Sequence, residues 1–169
     1  MQYRRLRVRG GTYFFTVVTK GRAPLFANVE AVRVLQQCIS DVRQRHPFDI
    51  VAEVILPDHL HTIWSLPECD SDFSTRWMLI KSKASRALAQ GRGTIWQHRY
   101  WEHLIRNEED KAAHVAYVHF NPVKHGLVEA PKDWPHSSFQ AAVARGELPM
   151  EWGSNEKPGW TAEFERRSE

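Results

Sequence analysis

The chain has 169 residues, 42% of them apolar and 25% charged, which suits one domain with an ordinary core and excludes a disordered or membrane-spanning chain by composition. No apolar run approaches the ~20 residues that span a bilayer, and the stretch after the basic N-terminus (Arg4, Arg5, Arg7, Arg9) is too short for a signal peptide. The net charge is only +3, yet residues 1–25 carry six basic residues and no acid, residues 73–106 carry seven against Glu102 alone, and the last 23 residues carry six glutamates against three basic residues. A basic body with an acidic tail suggests a polyanionic partner, although a merely solvated surface gives the same asymmetry. Cys38 and Cys69 form no C-x-x-C pair and no zinc spacing, so they read as reduced thiols of a cytoplasmic protein.

In chain order, Thr12 to Thr19 is rich in β-branched and aromatic residues and predicts a first strand. Asn28 can cap a helix to about Arg45, ended by His46-Pro47 because the residue before proline disfavours helix. Asp49 to Leu56 and His59 to Leu66 predict two strands joined at Pro57-Asp58 as a hairpin. A basic helix is expected from Ser71–Ser74 to about Ala89, before Gly91 and Gly93. Thr94 to Arg106 reads as a fourth extended segment. Asn107 caps a last helix, which Asn121-Pro122 is expected to stop near Phe120. The order β-α-β-β-α-β-α predicts an α+β, ferredoxin-like split β-α-β fold: a four-stranded antiparallel sheet with two helices on one face, and the extra C-terminal helix across or beside the other. Residues 1–140 are expected to be the folded domain. Residues 141–169, with Trp152 and Trp160, are expected to be a polar, acidic tail that packs in part and is a candidate cover for a basic groove.

Three constellations carry chemistry. His59 and His61 stand at i and i+2 of an apolar strand, so they share a face and can converge on one divalent ion; a pair of surface histidines is the plain alternative. His114, Tyr117, Asn121 and Lys124 share one face of the last helix. A phenol is a weak nucleophile near neutral pH, and becomes useful beside a base or a polarised target; otherwise Tyr117 simply packs with its hydroxyl bonded. His119 lies off that face and is not counted as a ligand. Trp96-Gln97-His98-Arg99-Tyr100-Trp101, with Arg76, Lys81, Lys83 and Arg86 of the preceding helix, suits base stacking and a backbone groove for a single strand, or else a strand whose tryptophans are core.

Together these segments resemble a known family. Leu56-Pro57-Asp58-His59-Leu60-His61 is similar to the signature of the HUH single-strand nucleases. Tyr117-Val118-His119-Phe120-Asn121-Pro122-Val123-Lys124-His125-Gly126-Leu127-Val128 is similar to the catalytic-tyrosine segment of single-tyrosine transposases, and most of all of the REP-associated tyrosine transposases. Trp96-Gln97, Trp101 to Arg106, and Asp133-Trp134-Pro135-His136-Ser137-Ser138-Phe139 resemble that branch as well. The resemblance covers about residues 12–140 and implies a ferredoxin-like HUH fold. It implies Tyr117 as nucleophile, with His59, His61 and Asn121 around a loosely held Mg²⁺ or Mn²⁺. It further implies a 5′-phosphotyrosine intermediate, strand transfer, and hairpin DNA of the REP palindrome type as substrate, in a cytoplasmic, nucleoid-associated protein that is a monomer or a homodimer. Lys124, His114, Arg76, Lys81, Lys83, Arg86, Arg99, Tyr100 and Trp101 are candidate phosphate or DNA contacts. The rival readings are a non-catalytic single-stranded nucleic-acid binder and a metal-dependent phosphoesterase that uses water.

Overall fold

The computed structural model describes residues 7–155, apart from 92, together with residue 158. Arg4, Arg5, Trp160 and the far part of the acidic tail lie outside the described residues. The strands are β1 (Thr12–Val18), β2 (Asp49–Ile55), β3 (His59–Ser65) and β4 (Trp101–Leu104), and they form one antiparallel sheet in the order β2-β3-β1-β4. This is the expected ferredoxin-like arrangement. The helices are α1 (Val29–Arg45), α2 (Phe73–Leu88), α3 (Glu108–Lys124) and a short α4 (Phe139–Ala144). No helix among the described residues is long and apolar enough to cross a membrane.

Strand alternation divides the sheet into two faces. Tyr13, Phe15 and Val17 of β1, with Leu60 and Trp64 of β3, point toward α1 and α2 and form the larger core. Helix α1 supplies Val32, Leu35, Ile39 and Val42 to it, and the Asn28 side chain caps that helix by accepting from the N–H groups of Glu30 and Ala31. Phe14, Ala52, Val54 and Ile63 point the other way, where Tyr117 and Val118 of α3 cover them. The helix carrying the tyrosine therefore lies over the second face, against β2 and β3.

Two boundaries differ from expectation. The fourth strand shrinks to Trp101–Leu104, and Trp96 makes only an isolated bridge to Thr19. Over that stretch Lys81 Nζ donates to the carbonyls of Gln97 and His98. Helix α3 runs through Pro122 to Lys124. The stop comes from Gly126, at φ 67°, with its N–H donating to the Val123 carbonyl and the Leu127 N–H to the Pro122 carbonyl, a Schellman ending. A proline in the last turn forfeits one backbone bond without breaking the helix.

The segment from Trp134 to Ser138 seals the outer edge of β2. Ile55 N–H donates to the His136 carbonyl and Ser138 N–H to the Glu53 carbonyl, while Trp134 Nε1 donates to the Ile55 carbonyl. The boundary expected after residue 140 falls inside α4, and Trp152 packs against Phe139 and Phe120.

Arg76, expected as a DNA contact, is buried at 2% exposure. Its guanidinium donates to the carbonyls of His46, Pro47 and Asp72 and pairs with Asp70 at 2.7 Å. It ties the end of α1 to the start of α2, and four of its five N–H donors are taken within the fold. Arg76→Ala should cost ~3 kcal/mol of stability, since several acceptors lose their only charged donor; urea denaturation measures this. Glu53 on β2 behaves oppositely. Its Oε2 is shut off from water without a partner, and burial pushes its carboxyl up to about 7. A raised folded pKa means stability that is full below the unfolded value of 4.5 and is lost as pH rises through about 7. Between these limits the loss should reach ~3 kcal/mol, and Glu53→Gln should flatten the pH–stability curve over that window.

Candidate active site

The site is built where β3 passes beneath the C-terminal half of α3. The β1–β3 register sets Thr16 opposite His61 and Val18 opposite His59, so both imidazoles stand on the α3 side of the sheet. His59 and His61 are buried, with ring centroids 4.9 Å apart and planes at 82°. His59 Nδ1 lies 2.6 Å from Asp58 Oδ1, and Arg22 reaches the other Asp58 oxygen at 3.1 Å. His61 Nδ1 lies 2.9 Å from the Thr16 hydroxyl, and its Nε2 is buried without a hydrogen-bond partner. In the tautomers where each Nδ1 donates, both Nε2 lone pairs are free to act as ligands.

Electrostatics favour those neutral forms. Burial lowers the His59 pKa in spite of Asp58. Burial pulls His61 well below the ordinary histidine range, helped by the charges of His59, His125 and Lys124. Asp58 is held below the usual carboxylate range although burial opposes this, because His59 and Arg22 both donate to it.

Helix α3 brings the other half. Tyr117 sits with its ring centroid 5.3 Å from His61 and 6.1 Å from Phe14. Lys124 Nζ donates to the Tyr117 hydroxyl at 3.2 Å and lies 5.0 Å from the ring centroid. The phenol is fully covered in this conformation, so a phosphate reaches it only after neighbouring side chains give way. One turn on, Asn121 is also fully buried, and neither its Oδ1 nor its Nδ2 has a hydrogen-bond partner among the described residues. Because α3 continues past Pro122, Asn121 keeps helical geometry. Two of these orphaned atoms, His61 Nε2 and Asn121 Oδ1, are acceptors buried beneath one helix and suit a divalent cation, whereas Asn121 Nδ2 is a donor and takes no part.

Comparisons with known proteins give the family. No family model matches the chain. A solved structure, of a REP-associated tyrosine transposase bound to a REP hairpin, superposes with a TM-score of 0.87 at 43% identity and covers 96% of both chains. The REP-associated tyrosine transposase of Escherichia coli K12 is 46% identical over 154 residues, covering 91% of this chain and 92% of that one. The chain belongs to the REP-associated tyrosine transposases. A relative in Haemophilus influenzae that bears the same family name is 38% identical over 165 residues, covering 90% and 93% of the two chains. As a REP-associated tyrosine transposase, the chain is a transposase-type DNA enzyme.

Of the residues expected at the site of this transposase, His59, His61, Tyr117, Asn121 and Lys124 come together. His114 does not join them. It is buried, bonded through Nδ1 to the Asp110 carbonyl, and stacked on His103 at 4.6 Å. It faces away toward β4, with the Phe14 ring between it and His61. In this conformation its ring is engaged by His103 and Asp110. His119 Nε2 lies 3.1 Å from the Ser138 hydroxyl, and the ring packs on Phe139.

The aromatic run divides. Trp96 is core, packed on Phe26 with Nε1 donating to the Lys81 carbonyl, and Tyr100 lines the core edge beside Trp77 and Phe15. Trp101, Arg99 and Arg86 are exposed, and Lys83 pairs with Asp41 at 3.1 Å. A groove of about 520 Å³ runs between α2 and residues 91–94, lined by Lys81, Ser82, Ser85, Arg86 and Thr94.

Sequence reasoning missed Asp58, read only as a turn residue, and Thr16 and His125. The Asp58-His59 neighbour pair was a usable signal. Thr16 emerges only from strand register, and the His125 ring, 5.2 Å from His59, only once α3 is known to extend past Pro122.

Proposed function

We propose that this transposase cleaves one strand of hairpin DNA of the REP type by covalent attack of Tyr117 and can pass the strand on. The observation that carries the reading is the convergence of the Tyr117 phenol, Lys124 and the orphaned atoms of His61 and Asn121 under one helix. His59 Nε2, His61 Nε2 and Asn121 Oδ1 are the ligand set for a divalent ion, Mg²⁺ or Mn²⁺, which when bound neutralises charge developing on the scissile phosphate. Tyr117 Oη attacks phosphorus in line and the 3′-oxygen leaves. The phenol proton passes to water, and the departing oxygen takes one from water. The new Oη–P bond is a 5′-phosphotyrosine link, and a 3′-hydroxyl returning to it reverses the step and joins strands. Lys124 Nζ, already donating to Oη, steadies the oxygen as it loses its proton. Asp58 and Thr16 hold the two imidazoles by their Nδ1 atoms.

The partner is hairpin DNA because the structural relative, at a TM-score of 0.87, is described as bound to a REP hairpin. Arg86, Arg99 and Trp101, with the groove beside α2, supply backbone charge and one stacking face. Lys81 and Lys83 contribute field, since their ammonium groups are already engaged by carbonyls and by Asp41.

With hairpin DNA and Mn²⁺, a denaturing gel should show a protein–DNA adduct that Tyr117→Phe abolishes. Lys124→Met should form it ~10²-fold more slowly, with DNA affinity changed far less. Cleavage without adduct that survives Tyr117→Phe would mean hydrolysis by water instead, and binding without cleavage would mean a non-catalytic binder. The supporting shell gives a second test. Asp58→Ala should raise the Mn²⁺ concentration needed for half-maximal adduct by ~10–100-fold, through loss of the His59 tether. An unchanged Mn²⁺ requirement would remove Asp58 from the ligand-orienting role.

A further inference from the structure

A second cluster of ligand-type side chains lies at the β4 end of the same sheet face. His103 comes from β4, and Asp110 and His114 from the first two turns of α3. One ligand atom from each lies within 4.8 Å of the others. His103 Nε2 is 2.9 Å from Asp110 Oδ2, and His114 Nδ1 is 3.3 Å from Asp110 Oδ1. A tetrahedral ion with ligand bonds of about 2.0–2.1 Å sets its ligands about 3.3 Å apart; the two separations are of that order and fall on the two different oxygens of the Asp110 carboxylate. Asp110 and His114 are buried at 7% and 4% exposure, while the His103 side chain keeps 27% and leaves an entry path.

We propose that His103, Asp110 and His114 form a second metal site, for Zn²⁺ or a similar nitrogen-preferring ion, that clamps β4 to the helix bearing Tyr117. Two imidazoles and one carboxylate suit zinc, nickel or cobalt far better than Mg²⁺, so the site is chemically distinct from the oxygen-tolerant one at Asn121. It is spatially distinct too, because the Phe14 ring separates His114 from His61.

An ion would take the place of the His114 Nδ1 bond to the Asp110 carbonyl, and the two imidazoles, stacked at 4.6 Å with planes 16° apart, would turn to aim at it. Arg106 Nε sits 3.1 Å from Asp110 Oδ2, but its side chain is 67% exposed and can turn into water, leaving the Arg106 backbone N–H on the carboxylate as an outer support. Each imidazole moves its proton to its other nitrogen when the facing one becomes a ligand. Burial keeps His114 toward its neutral form, and Arg106 and His103 keep Asp110 ionised against the opposing pull of burial. The clamp would matter because β4 is only four residues long and His114 stands one helical turn before Tyr117.

The test uses the full chain, stripped of metal and dialysed against Zn²⁺ alone, with bound zinc measured and thermal unfolding followed. The variant His59→Ala/His61→Ala should retain one zinc equivalent and a zinc-dependent rise in Tm, and adding His103→Gln should remove both. His103→Gln alone in the otherwise native chain should likewise lose one equivalent. Glutamine keeps a donor for Asp110, so the hydrogen-bonded network survives. Absence of zinc from the His59→Ala/His61→Ala variant, when its circular dichroism shows it folded, would overturn the second site. So would zinc binding unaffected by His103→Gln. Neither result bears on the adduct assay, so the two readings fail independently.

Discussion

The register between β1 and β3 is the constraint on which the rest of the site depends. With Thr16 opposite His61, the odd-numbered positions of β3 face α3 and the even-numbered ones face the larger core. A slip of one residue would exchange these faces, driving two imidazoles among Tyr13, Phe15 and Trp77 and leaving Leu60 and Trp64 under α3. The aromatic packing on the α1–α2 side opposes that slip. Trp64 and Trp77 stack at 4.2 Å, and Phe48 closes on Trp64 at 4.1 Å. Each buried aromatic contributes ~2 kcal/mol or more, which together outweigh the cost of holding polar rings on the other face. The apolar core thus specifies the geometry of the polar site without touching it.

The second determinant is how α3 ends. Asn121, Lys124 and His125 all lie beyond the point where Asn-Pro suggests a stop. Had the helix ended at Phe120, Asn121 would leave helical geometry and Lys124 would not lie two turns above Tyr117. Gly126 moves the ending downstream, because its positive φ allows two successive N–H groups to fold back on the carbonyls of Pro122 and Val123. The helix keeps a defective last turn, and Asn121 stays buried in it one turn after Tyr117. A proline near a helix end is compatible with helix when a glycine cap follows within a turn.

Much of this was legible in the chain. Seven of the elements follow from alternation, capping residues and turn signals, and their order alone implies the split β-α-β sheet. His59, His61 and Tyr117 were identified by residue type and spacing, with the family resemblance linking them. What failed did so for lack of tertiary information. Arg76 and His114 have the residue types of DNA contacts, but only packing shows that one is enclosed by carbonyls and the other stacked on His103. Trp96 suited either a stacking platform or a core position, and the structure gives the core one, with Phe26 against it. The motif Asp133 to Phe139 resembled the family without showing a purpose, and the structure supplies one: it pairs with the exposed edge of β2. Charge type travels with sequence, whereas accessibility is a property of the fold.

Orphaned polar atoms alone do not identify the site. The indole nitrogens of Trp64 and Trp77 are buried without partners as well, in the middle of the larger core. The distinction lies in sign and convergence. An indole N–H is only a donor, is attached to a large apolar ring whose burial compensates it, and has no use for a cation. At the α3 face the unsatisfied atoms include an imidazole nitrogen that can accept and an amide oxygen, on residues whose side chains bury little apolar surface in return. Nothing in their own packing explains why they are there. Two such acceptors are what the proposed divalent ion would complete, and the proposed attack by Tyr117 would bring a phosphate to the same charge.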